Sequence, residues 1–471
     1  MYETVVGIEV HVELKSNSKV FSTSLNEFSV DANTNVNPID LGYPGVLPRL
    51  NKKVIDMALS AALAFNCNIN KVQHFDRKNY FYPDLPKGYQ ITEFDTPIGY
   101  DGYIEVNNDG DIKKIGLERI HIEEDTCKSM HGKTGTLLNA NRAGVPLIEI
   151  VSKPEMHSPE DAVLYLEKLR EILLYLGISD VKIEEGSMRC DCNVSIHKPG
   201  TPFGTKVEIK NIGSISNVGL AIKYEVSRQK EALENGEIIR EETRRFDDKT
   251  GKTILMRVKE TGNDYRYFPE PDIPYIVIDD EWINNVKSKM PVFASELKVK
   301  YKDLGINDNN IKTIIGRLDL CQFLETVIDK CNPITAANLL TGDVLSYLNK
   351  NYLSINNIKL NSDNFIDVVN KIEDKTISSK QAKDIIPYLI DNGGDVDSAI
   401  KKLGLVQITD ESALLDVVKK VVSDNPSSIK DYKDGKDRAI KYLMGQIMKE
   451  TKGQANPQIV SKLLMDVLAN C

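Results

Sequence analysis

Gly7-Ile-Glu-Val-His-Val-Glu-Leu14 is the stretch of sequence that decides the fold of the N-terminal half. Apolar and polar residues alternate in it, which predicts a strand with one buried face. The other face carries Glu9, His11 and Glu13. Because two carboxylates on one face repel each other, we expect a cation over them, and Mg²⁺ suits oxygen ligands. A solvent-exposed edge strand with ordinary polar side chains is the alternative that this segment leaves open.

The same alternation of apolar and charged residues recurs in four later segments. Their polar faces carry Arg119, His121 and Glu123 (with Glu124 and Asp125 following), Glu149, the series Arg189, Asp191, Asn193, Ser195 and His197, and finally Lys206, Glu208 and Lys210. If the five strands join one sheet, one of its faces is covered with carboxylates and cations. Phosphoryl transfer needs this combination, because Mg²⁺ takes oxygen ligands and cations balance the phosphate charge. Separate strands with charged outer faces are the alternative.

Composition indicates a protein of several domains from a reducing compartment. The 471 residues are enough for two or three domains, and a hydrophobic content of 41% supports their cores. Seven scattered cysteines argue against a disulfide framework. The start lacks a signal-peptide pattern and no apolar run reaches membrane-spanning length, so we expect a soluble, cytoplasmic protein without a membrane partner. A net charge of −9 argues against a general nucleic-acid binder.

The pattern changes along the chain and predicts three regions. Residues 1–291 alternate strands with helices predicted at 51–66, 158–176 and 215–235, and end after a proline-rich stretch at 268–274. Helical periodicity then predicts a helical domain at 292–407 and a second helical unit at 408–471. Within the latter, residues 428–453 hold seven Lys/Arg against four Asp/Glu. The overall negative charge therefore does not exclude a local basic surface here.

The sequence contains no convincing phosphate loop or hydrolytic nucleophile. Gly-Lys-Thr occurs at 132–134 and 251–253, but both copies lack the earlier glycine that a phosphate-binding loop requires. We find no serine or cysteine with a plausible general base. If the protein uses ammonia, a partner must therefore produce it.

Several motifs together identify a family. They are Gly7–Leu14, Leu41–Pro48, Asp76–Asp84, Lys87–Ile91, Ile120–Asp125, Pro146–Ser152, Glu185–Val194, Glu242–Phe246, Asp264–Asp272, Met444–Lys449 and Lys452–Pro457. In these motifs the chain resembles the B subunits of aspartyl/glutamyl-tRNA(Asn/Gln) amidotransferases, over essentially its whole length.

The resemblance implies a fold and an activity. It implies an α+β fold: a curved antiparallel sheet with flanking helices, similar to the glutamine synthetase catalytic domain, followed by two all-α domains, the last binding tRNA. It implies a ligase that phosphorylates the side-chain carboxylate of mischarged Glu-tRNA(Gln) or Asp-tRNA(Asn) with ATP and Mg²⁺. Ammonia from the glutaminase (amidase) A subunit then displaces phosphate, within a heterotrimer that includes a small C subunit. Whether Glu-tRNA, Asp-tRNA or both are used stays open.

Motif matching also assigns roles to residues. The resemblance implies that Glu9, His11, Glu124 and Glu149 hold Mg²⁺ and act in catalysis with Arg189, and that Glu123, Asp191, Lys78 and Lys87 serve the ATP site. It implies tRNA contacts at Tyr80, Tyr82, Tyr89 and Gln90, where stacking on the terminal adenosine and core packing are both open, and at Lys436, Arg438, Lys441, Lys449 and Lys452 in the tail.

One feature departs from the family pattern. Many members carry four cysteines that form a zinc site early in the chain. The matching positions here are Ser22, Ser24, Asn37 and Asp40. We therefore expect no zinc, with the loop held by packing or hydrogen bonds.

Two other classes of function remain as alternatives. The chain could be a tRNA-binding scaffold without chemistry of its own, which predicts no tRNA-dependent ATP hydrolysis. It could also be a metal-dependent hydrolase or ligase for a small amino-acid substrate, which predicts activity without tRNA.

Overall fold

The computed structural model describes residues 2–469 except 109, 259–264, 406–410, 434–437, 452–454 and 456. The chain divides into two compact units, Met1–Ala294 and Ser295–Cys471. The first unit contains both strands and helices, and the second is helical. The sequence-based borders at 291/292 and 407/408 stay predictions, and the second of them lies outside the described residues. No helix in the described part of the chain combines the length and apolar character needed to cross a membrane.

The first unit is built on strands joined by four α-helices. In chain order its elements are β1 (Glu3–Glu13), α1 (Lys52–Ala64), β2 (Asn68–Ile69), β3 (Val72–Gln73), β4 (Asp76–Asn79), β5 (Tyr89–Thr92), β6 (Gly99–Asn108), β7 (Asp111–Glu124), β8 (Lys128–Gly132), β9 (Gly135–Asn139), β10 (Pro146–Ser152), α2 (Pro159–Leu176), β11 (Met188–His197), β12 (Val207–Lys210), α3 (Ile215–Glu234), β13 (Glu242–Asp247), β14 (Lys252–Val258), β15 (Phe268–Pro269), β16 (Ile276–Val277) and α4 (Asp280–Lys287).

One sheet of twelve strands organises this unit. Its main order is β14-β13-β12-β11-β1-β10-β7-β5-β4-β15, with β6 beside β7 and β2 beside β6. The five predicted strands lie next to one another at its centre, so the prediction of a single charged sheet is confirmed. The expected all-antiparallel arrangement needs a correction, because β12 and β13 pair in parallel. The twenty-residue helix α3 connects these two strands, and such a crossover returns the chain for parallel pairing.

Helices cover the apolar face of the sheet. Ile8, Val10 and Val12 of β1 are fully or almost fully buried in the same core as Leu166 and Leu169 of α2. The three predicted helices are confirmed and begin at side-chain caps, in which Asn51, Ser158 and Ser214 accept hydrogen bonds from backbone N–H groups. Because the apolar residues of β1 are used in this core, its charged residues occupy the other face of the sheet.

The second unit is helical, as predicted. Its helices are α5 (Ala294–Asp303), α6 (Asp308–Ile315), α7 (Leu318–Val327), α8 (Pro333–Leu339), α9 (Leu345–Lys350), α10 (Ser362–Glu373), α11 (Ser379–Asn392), α12 (Val396–Lys402), α13 (Glu411–Ser423), α14 (Pro426–Lys433), α15 (Arg438–Glu450) and α16 (Pro457–Ala469). The last four pack around their own core, which includes Leu414, Leu443 and Leu464.

Candidate active site

His11, Glu123 and Glu149 meet on three neighbouring strands of the charged face. His11 is opposite Glu149 in the β1–β10 pairing, and β7 lies on the other side of β10. The Nε2 atom of His11 is 3.4 Å from a Glu123 oxygen and 3.7 Å from a Glu149 oxygen. Both distances exceed the 2.7–2.9 Å or so of a charge-assisted hydrogen bond. These three residues, the first acidic group, could hold a metal ion, since one ligand atom from each lies within 4.8 Å of the others.

His121 keeps the carboxylates of this group ionised. Its Nε2 atom lies 3.0 Å from Glu149, and the residue is buried. Burial alone would lower the pKa of His121, but Glu149 and Glu123 raise it to about 9. Burial also opposes ionisation of Glu123 and Glu149, yet the two histidines hold the pKa of both carboxyls below its ordinary value. Both carboxylates are therefore available as ligands at neutral pH.

Glu9, Asp191 and Glu208 form a second acidic group on the same face. Glu9 is opposite Asp191 in the β1–β11 pairing, and Glu208 follows on β12. Each residue offers one ligand atom within 4.8 Å of the others. The Lys210 ammonium binds both Asp191 and Glu208, at 2.5 and 3.0 Å. Burial raises the pKa of Glu9, and the carboxylates of Glu149, Asp191 and Glu208 raise it further.

Two cavities lie along this face. The larger, of about 410 Å³, is lined by residues from both acidic groups together with Lys78, Tyr80, Arg189 and Lys210. The smaller, of about 190 Å³, is lined by Glu9, Glu93, Arg119, His121, Glu149 and Tyr267, among others. Lys78 lines both. A ligand that fills either cavity would therefore also meet Lys78.

The smaller cavity is lined by residues with unused polar atoms. In the described part of the chain, Glu93 Oε1, Arg119 Nε and His121 Nδ1 are buried without a hydrogen-bond partner. Glu93 uses its other oxygen for the backbone N–H groups of Ile98 and Ile122, and burial raises its pKa to about 8. Unpaired buried polar atoms destabilise a fold. Their presence in a cavity is therefore typical of a site where a polar ligand or water supplies the missing hydrogen bonds.

The cations of the charged face differ in how they are bound. Arg189 donates to Asp125 at 2.7 Å. Lys78, by contrast, makes no hydrogen bond or ion pair with any residue that the structure describes, and its Nζ atom is 5.0 Å from the centre of the Tyr265 ring. Burial would lower the pKa of Lys78, but Glu123, Tyr267 and Glu149 raise it. Lys78 is thus a charged ammonium that is available to an anionic ligand.

The structure does not bring Glu124 into either acidic group. Successive residues of a strand point to opposite faces, so Glu124 lies across β7 from Glu123. Its carboxylate binds the Lys87 ammonium and accepts the backbone N–H of Ile91 at 3.0 Å. Lys87 is therefore paired with Glu124 and is not free for phosphate. Glu9, which motif matching placed with His11, lies in the second group instead.

Sequence reasoning did not choose several side chains of the charged face, including Lys210 and Arg119, which line the cavities. Glu208 belongs to the second group and His121 supports the first, although neither was chosen as a site residue. Both belonged to the alternating polar faces of the predicted strands, so the signal was present. Glu93 and Tyr267 lie outside the strands and gave no such signal.

The predicted tRNA-contacting tyrosines lie in different surroundings. Tyr82 is 59% exposed, and its neighbour Phe81 is also exposed. Tyr80 is half-buried, lines the larger cavity and packs edge-on against Tyr82 and Tyr265. The Arg77 guanidinium covers the Tyr89 ring at 4.2 Å. Gln90 is buried and donates to the Glu124 carbonyl at 2.7 Å.

Part of the predicted basic surface lies on α15. Arg438, Lys441 and Lys449 are exposed and, at about 3.6 residues per turn, share one side of this helix with exposed Tyr442. Lys436 and Lys452 lie outside the described residues.

The four positions where many family members carry cysteine are close together. Ser22 and Ser24 each donate a hydrogen bond to the Asp40 carboxylate at 2.6 Å, and the Asn37 backbone N–H donates at 3.0 Å. The ammonium of Lys19, which is fully buried, lies 3.4 Å from Asp40. These contacts join the two ends of the loop, while the absence of zinc stays a prediction.

Comparison with known proteins gives consistent matches over the chain. The model of the GatB/GatE catalytic domain matches residues 4–284, and the model of the GatB domain matches residues 322–468. A protein of Bacillus cereus (strain AH187) is 50% identical over 467 residues, 98% of each chain, and one of Lysinibacillus sphaericus (strain C3-41) is 49% identical over 471 residues, 99% of each. Both are named as the B subunit of an aspartyl/glutamyl-tRNA(Asn/Gln) amidotransferase. This chain belongs to the family of aspartyl/glutamyl-tRNA(Asn/Gln) amidotransferase B subunits.

Proposed function

We propose that this chain activates the side-chain carboxylate of Glu or Asp on a mischarged tRNA with ATP, and then joins ammonia to it. The products are Gln-tRNA(Gln) or Asn-tRNA(Asn), which makes the chain part of a glutamine-hydrolysing ligase. One observation carries this proposal: two groups of acidic ligands lie side by side on one sheet face, along a cavity that the Lys78 ammonium also lines. Family membership supports the choice of substrate.

The two acidic groups are the proposed Mg²⁺ ligands. His11, Glu123 and Glu149 would hold one ion, and Glu9, Asp191 and Glu208 a second. The donors fit, because carboxylate oxygens are the ligands that Mg²⁺ prefers and the His11 contacts are too long for hydrogen bonds. When bound, Mg²⁺ supplies neutralisation of phosphate charge. Lys210 now neutralises part of the second group and would turn toward the phosphates if a metal ion replaced it.

The remaining charged side chains have roles in binding and orientation. Lys78 would contact the terminal phosphate; it borders both cavities and has no ionic partner among the described residues, which supports this role. Arg189 lines the same cavity, held by Asp125. His121 keeps Glu149 ionised. In this site a carboxylate oxygen of the substrate bonds to the terminal phosphorus as the bond to ADP breaks.

Amidation completes the reaction. The ammonia nitrogen bonds to the activated carbonyl carbon, the carbon–oxygen bond to phosphate breaks, and the nitrogen loses one proton to water. Because the chain has no recognisable glutaminase nucleophile, we assign ammonia production to a partner, the A subunit, with a small C subunit in the same complex. The exposed aromatic residues around Tyr82 and the basic side of α15 are the proposed tRNA contacts, and the cytoplasm is the proposed location.

Phosphate release from ATP tests this proposal. The assembled complex is supplied with Mg²⁺ and ammonium chloride, with and without Glu-charged tRNA(Gln) or Asp-charged tRNA(Asn). We expect release only with a mischarged tRNA, and its loss on Glu149→Gln with unchanged tRNA affinity. Glu105→Gln, at an exposed position of β6, is the matched control and should keep full activity. Phosphate release without tRNA would favour an enzyme that acts on a small amino-acid substrate. No release with either tRNA would favour a tRNA-binding scaffold without chemistry of its own.

A further inference from the structure

A third group of histidine and carboxylate ligands lies apart from the charged face. His74 precedes β4, Asp76 begins β4, and Asp95 lies in the loop between β5 and β6. One ligand atom from each lies within 4.8 Å of the others. The three residues line neither of the two cavities described above. A role for this group is therefore separate from the proposed phosphate chemistry.

One buried atom of this group has no hydrogen-bond partner although a carboxylate oxygen lies close to it. The His74 Nε2 atom is buried and has no hydrogen-bond partner in the described part of the chain. It lies 3.3 Å from Asp76 Oδ1. The Asp76 side chain is only 1% exposed, and the hydrogen bonds that it accepts, from the N–H groups of Phe94 and Asp95, both go to Oδ2. A cation between Nε2 and Oδ1 would give the buried Nε2 atom the partner that it lacks.

The distance between His74 and Asp76 fits a shared divalent ion, and the exposed Asp95 carboxylate would have to move a few tenths of an ångström closer. The His74 Nε2 atom is 3.3 Å from Asp76 and 3.8 Å from Asp95. Ligands about 2.1 Å from one metal ion lie roughly 3.0–3.4 Å apart when they occupy neighbouring coordination positions. The first acidic group has almost the same spacing, 3.4 and 3.7 Å from its histidine. Without phosphate ligands, one imidazole with two carboxylates suits Zn²⁺ or Mn²⁺ better than Mg²⁺. The first acidic group differs because it borders the cavity proposed for ATP, whose phosphates would complete a Mg²⁺ site.

The surroundings orient the histidine before any metal arrives. The Thr96 hydroxyl lies 3.3 Å from Nδ1 of His74 and accepts the His74 backbone N–H at 2.9 Å. The ring of Tyr275 packs edge-on against the imidazole, with centroids 5.6 Å apart. A partner on the second ring nitrogen is typical of metal-binding histidines. Asp95 is 62% exposed, so water can complete the coordination from the outside.

We propose that His74, Asp76 and Asp95 bind a divalent transition metal ion, Zn²⁺ in the first place. The ion joins the β5–β6 loop to the start of β4, the strand that carries Lys78. Its role is to fix this strand rather than to take part in the reaction. The competing occupant of the same position is a proton, which would make the group an imidazolium with two carboxylate partners.

Metal analysis of the full chain separates these two occupants. Because the first acidic group also offers a histidine, every chain compared carries His11→Gln. After removal of metals with a chelator, each is dialysed against buffered ZnCl₂ in excess MgCl₂, and bound zinc is measured. We expect the chain to bind one more zinc ion per molecule than the same chain with His74→Gln. Asp95→Asn should weaken zinc binding at least about tenfold.

His131→Gln is the matched control, because this exposed histidine contacts Thr136 and is no member of the group. It should leave zinc binding unchanged. Zinc should also raise the melting temperature of the His11→Gln chain and of the control, but not of the chain with His74→Gln. Equal zinc binding with and without His74 would overturn the proposal, as would displacement of the zinc by Mg²⁺ or a His74 imidazole that still titrates in saturating zinc.

Discussion

The first unit contains two clusters of charged side chains that differ in how fully their charges are paired. One is the first acidic group on the charged face. The other, the Glu225 cluster, lies between α3 and the strands β13 and β14; its members are Glu225, Arg228, Gln229, Glu242, Arg244 and Thr253. In the Glu225 cluster two carboxylates meet two guanidiniums, and the fully buried Glu225 accepts hydrogen bonds from three different side chains.

In the first acidic group the charges are not fully paired in this way. Two carboxylates share one protonated histidine, His121, and the contacts of His11 are 3.4 and 3.7 Å long. A cluster that stabilises the fold satisfies its polar atoms internally, because unpaired buried charges are costly. A cluster that binds a ligand leaves part of this to the ligand. We therefore regard incomplete pairing, rather than charge density, as the mark of the active site.

We expect the largest effect on activity at Glu123, and a much smaller one at the adjacent Glu124. Glu123→Gln removes a ligand of the first acidic group, so we expect tRNA-dependent phosphate release to fall about 10²–10³-fold. Glu124→Gln leaves the Lys87 ammonium without its partner, so its main effect should be a loss of about 1–3 kcal/mol of stability. Phosphate release and denaturant unfolding are measured on both. An equal loss of activity in folded Glu124→Gln would return Glu124 to the metal site.

Substitutions in the Glu225 cluster should lower the stability of the protein and leave its catalytic activity unchanged. Glu225→Ala leaves two partly buried guanidiniums with one partner fewer and three side-chain donors without their acceptor, and we expect the free energy of unfolding to fall by about 2–4 kcal/mol. Activity per folded molecule, measured below the melting temperature, should stay unchanged. Glu234→Ala, at an exposed position near the end of the same helix, is the control. A loss of activity without a loss of stability would contradict the comparison.

The same cluster predicts a pH dependence of stability. Burial alone would raise the pKa of Glu225, but hydrogen bonds from Arg228 and its other partners lower it below the ordinary 4.5. A lowered pKa contributes stability that is present above pH 4.5 and is lost as the pH falls through the folded value. Melting temperatures of wild type and Glu225→Gln should therefore converge below pH 4.5 and separate above it. A constant difference across this range would show that the carboxylate charge is not responsible.

The smallest expected effect concerns the basic side of α15. Lys441→Ala should weaken tRNA binding only a few-fold and reduce the salt dependence of the affinity by about one ion, because exposed lysines contact phosphate without reading sequence. Binding is measured over a range of KCl concentrations. Lys419→Ala on α13 provides a control of the same charge change. An identical salt slope in Lys441→Ala and wild type would remove this helix from the tRNA surface.

The sequence predicted the centre of the site because the site follows the simplest periodicity of a strand. Alternation in β1, β7, β10, β11 and β12 placed both acidic groups on one face. The position of Glu124 also follows from alternation, and motif matching alone had placed it with the metal ligands.

Other features depend on contacts between segments that are distant in sequence, so local sequence patterns cannot predict them. The parallel pairing of β12 with β13 is one such feature, since alternation says nothing of strand direction. Glu93 is another, because its environment comes from backbone N–H groups of Ile98 and Ile122. The Glu225 cluster likewise joins a helix to strands that follow it.

The place of β1 in the sheet has a consequence for synthesis of the chain. This strand is made first, yet its two neighbours are β10 and β11, of which β11 ends at His197. At about 5–20 residues per second, the ribosome needs roughly 10–40 s to deliver β11 after β1 has emerged. Until β10 is complete at Ser152, β1 has no neighbouring strand, and until β11 follows, one edge of β1 stays unpaired. Nascent chains ending before Pro146 should therefore be the ones that chaperones retain. The strand that carries Glu9 and His11 is thus the oldest part of the site and among the last to be secured.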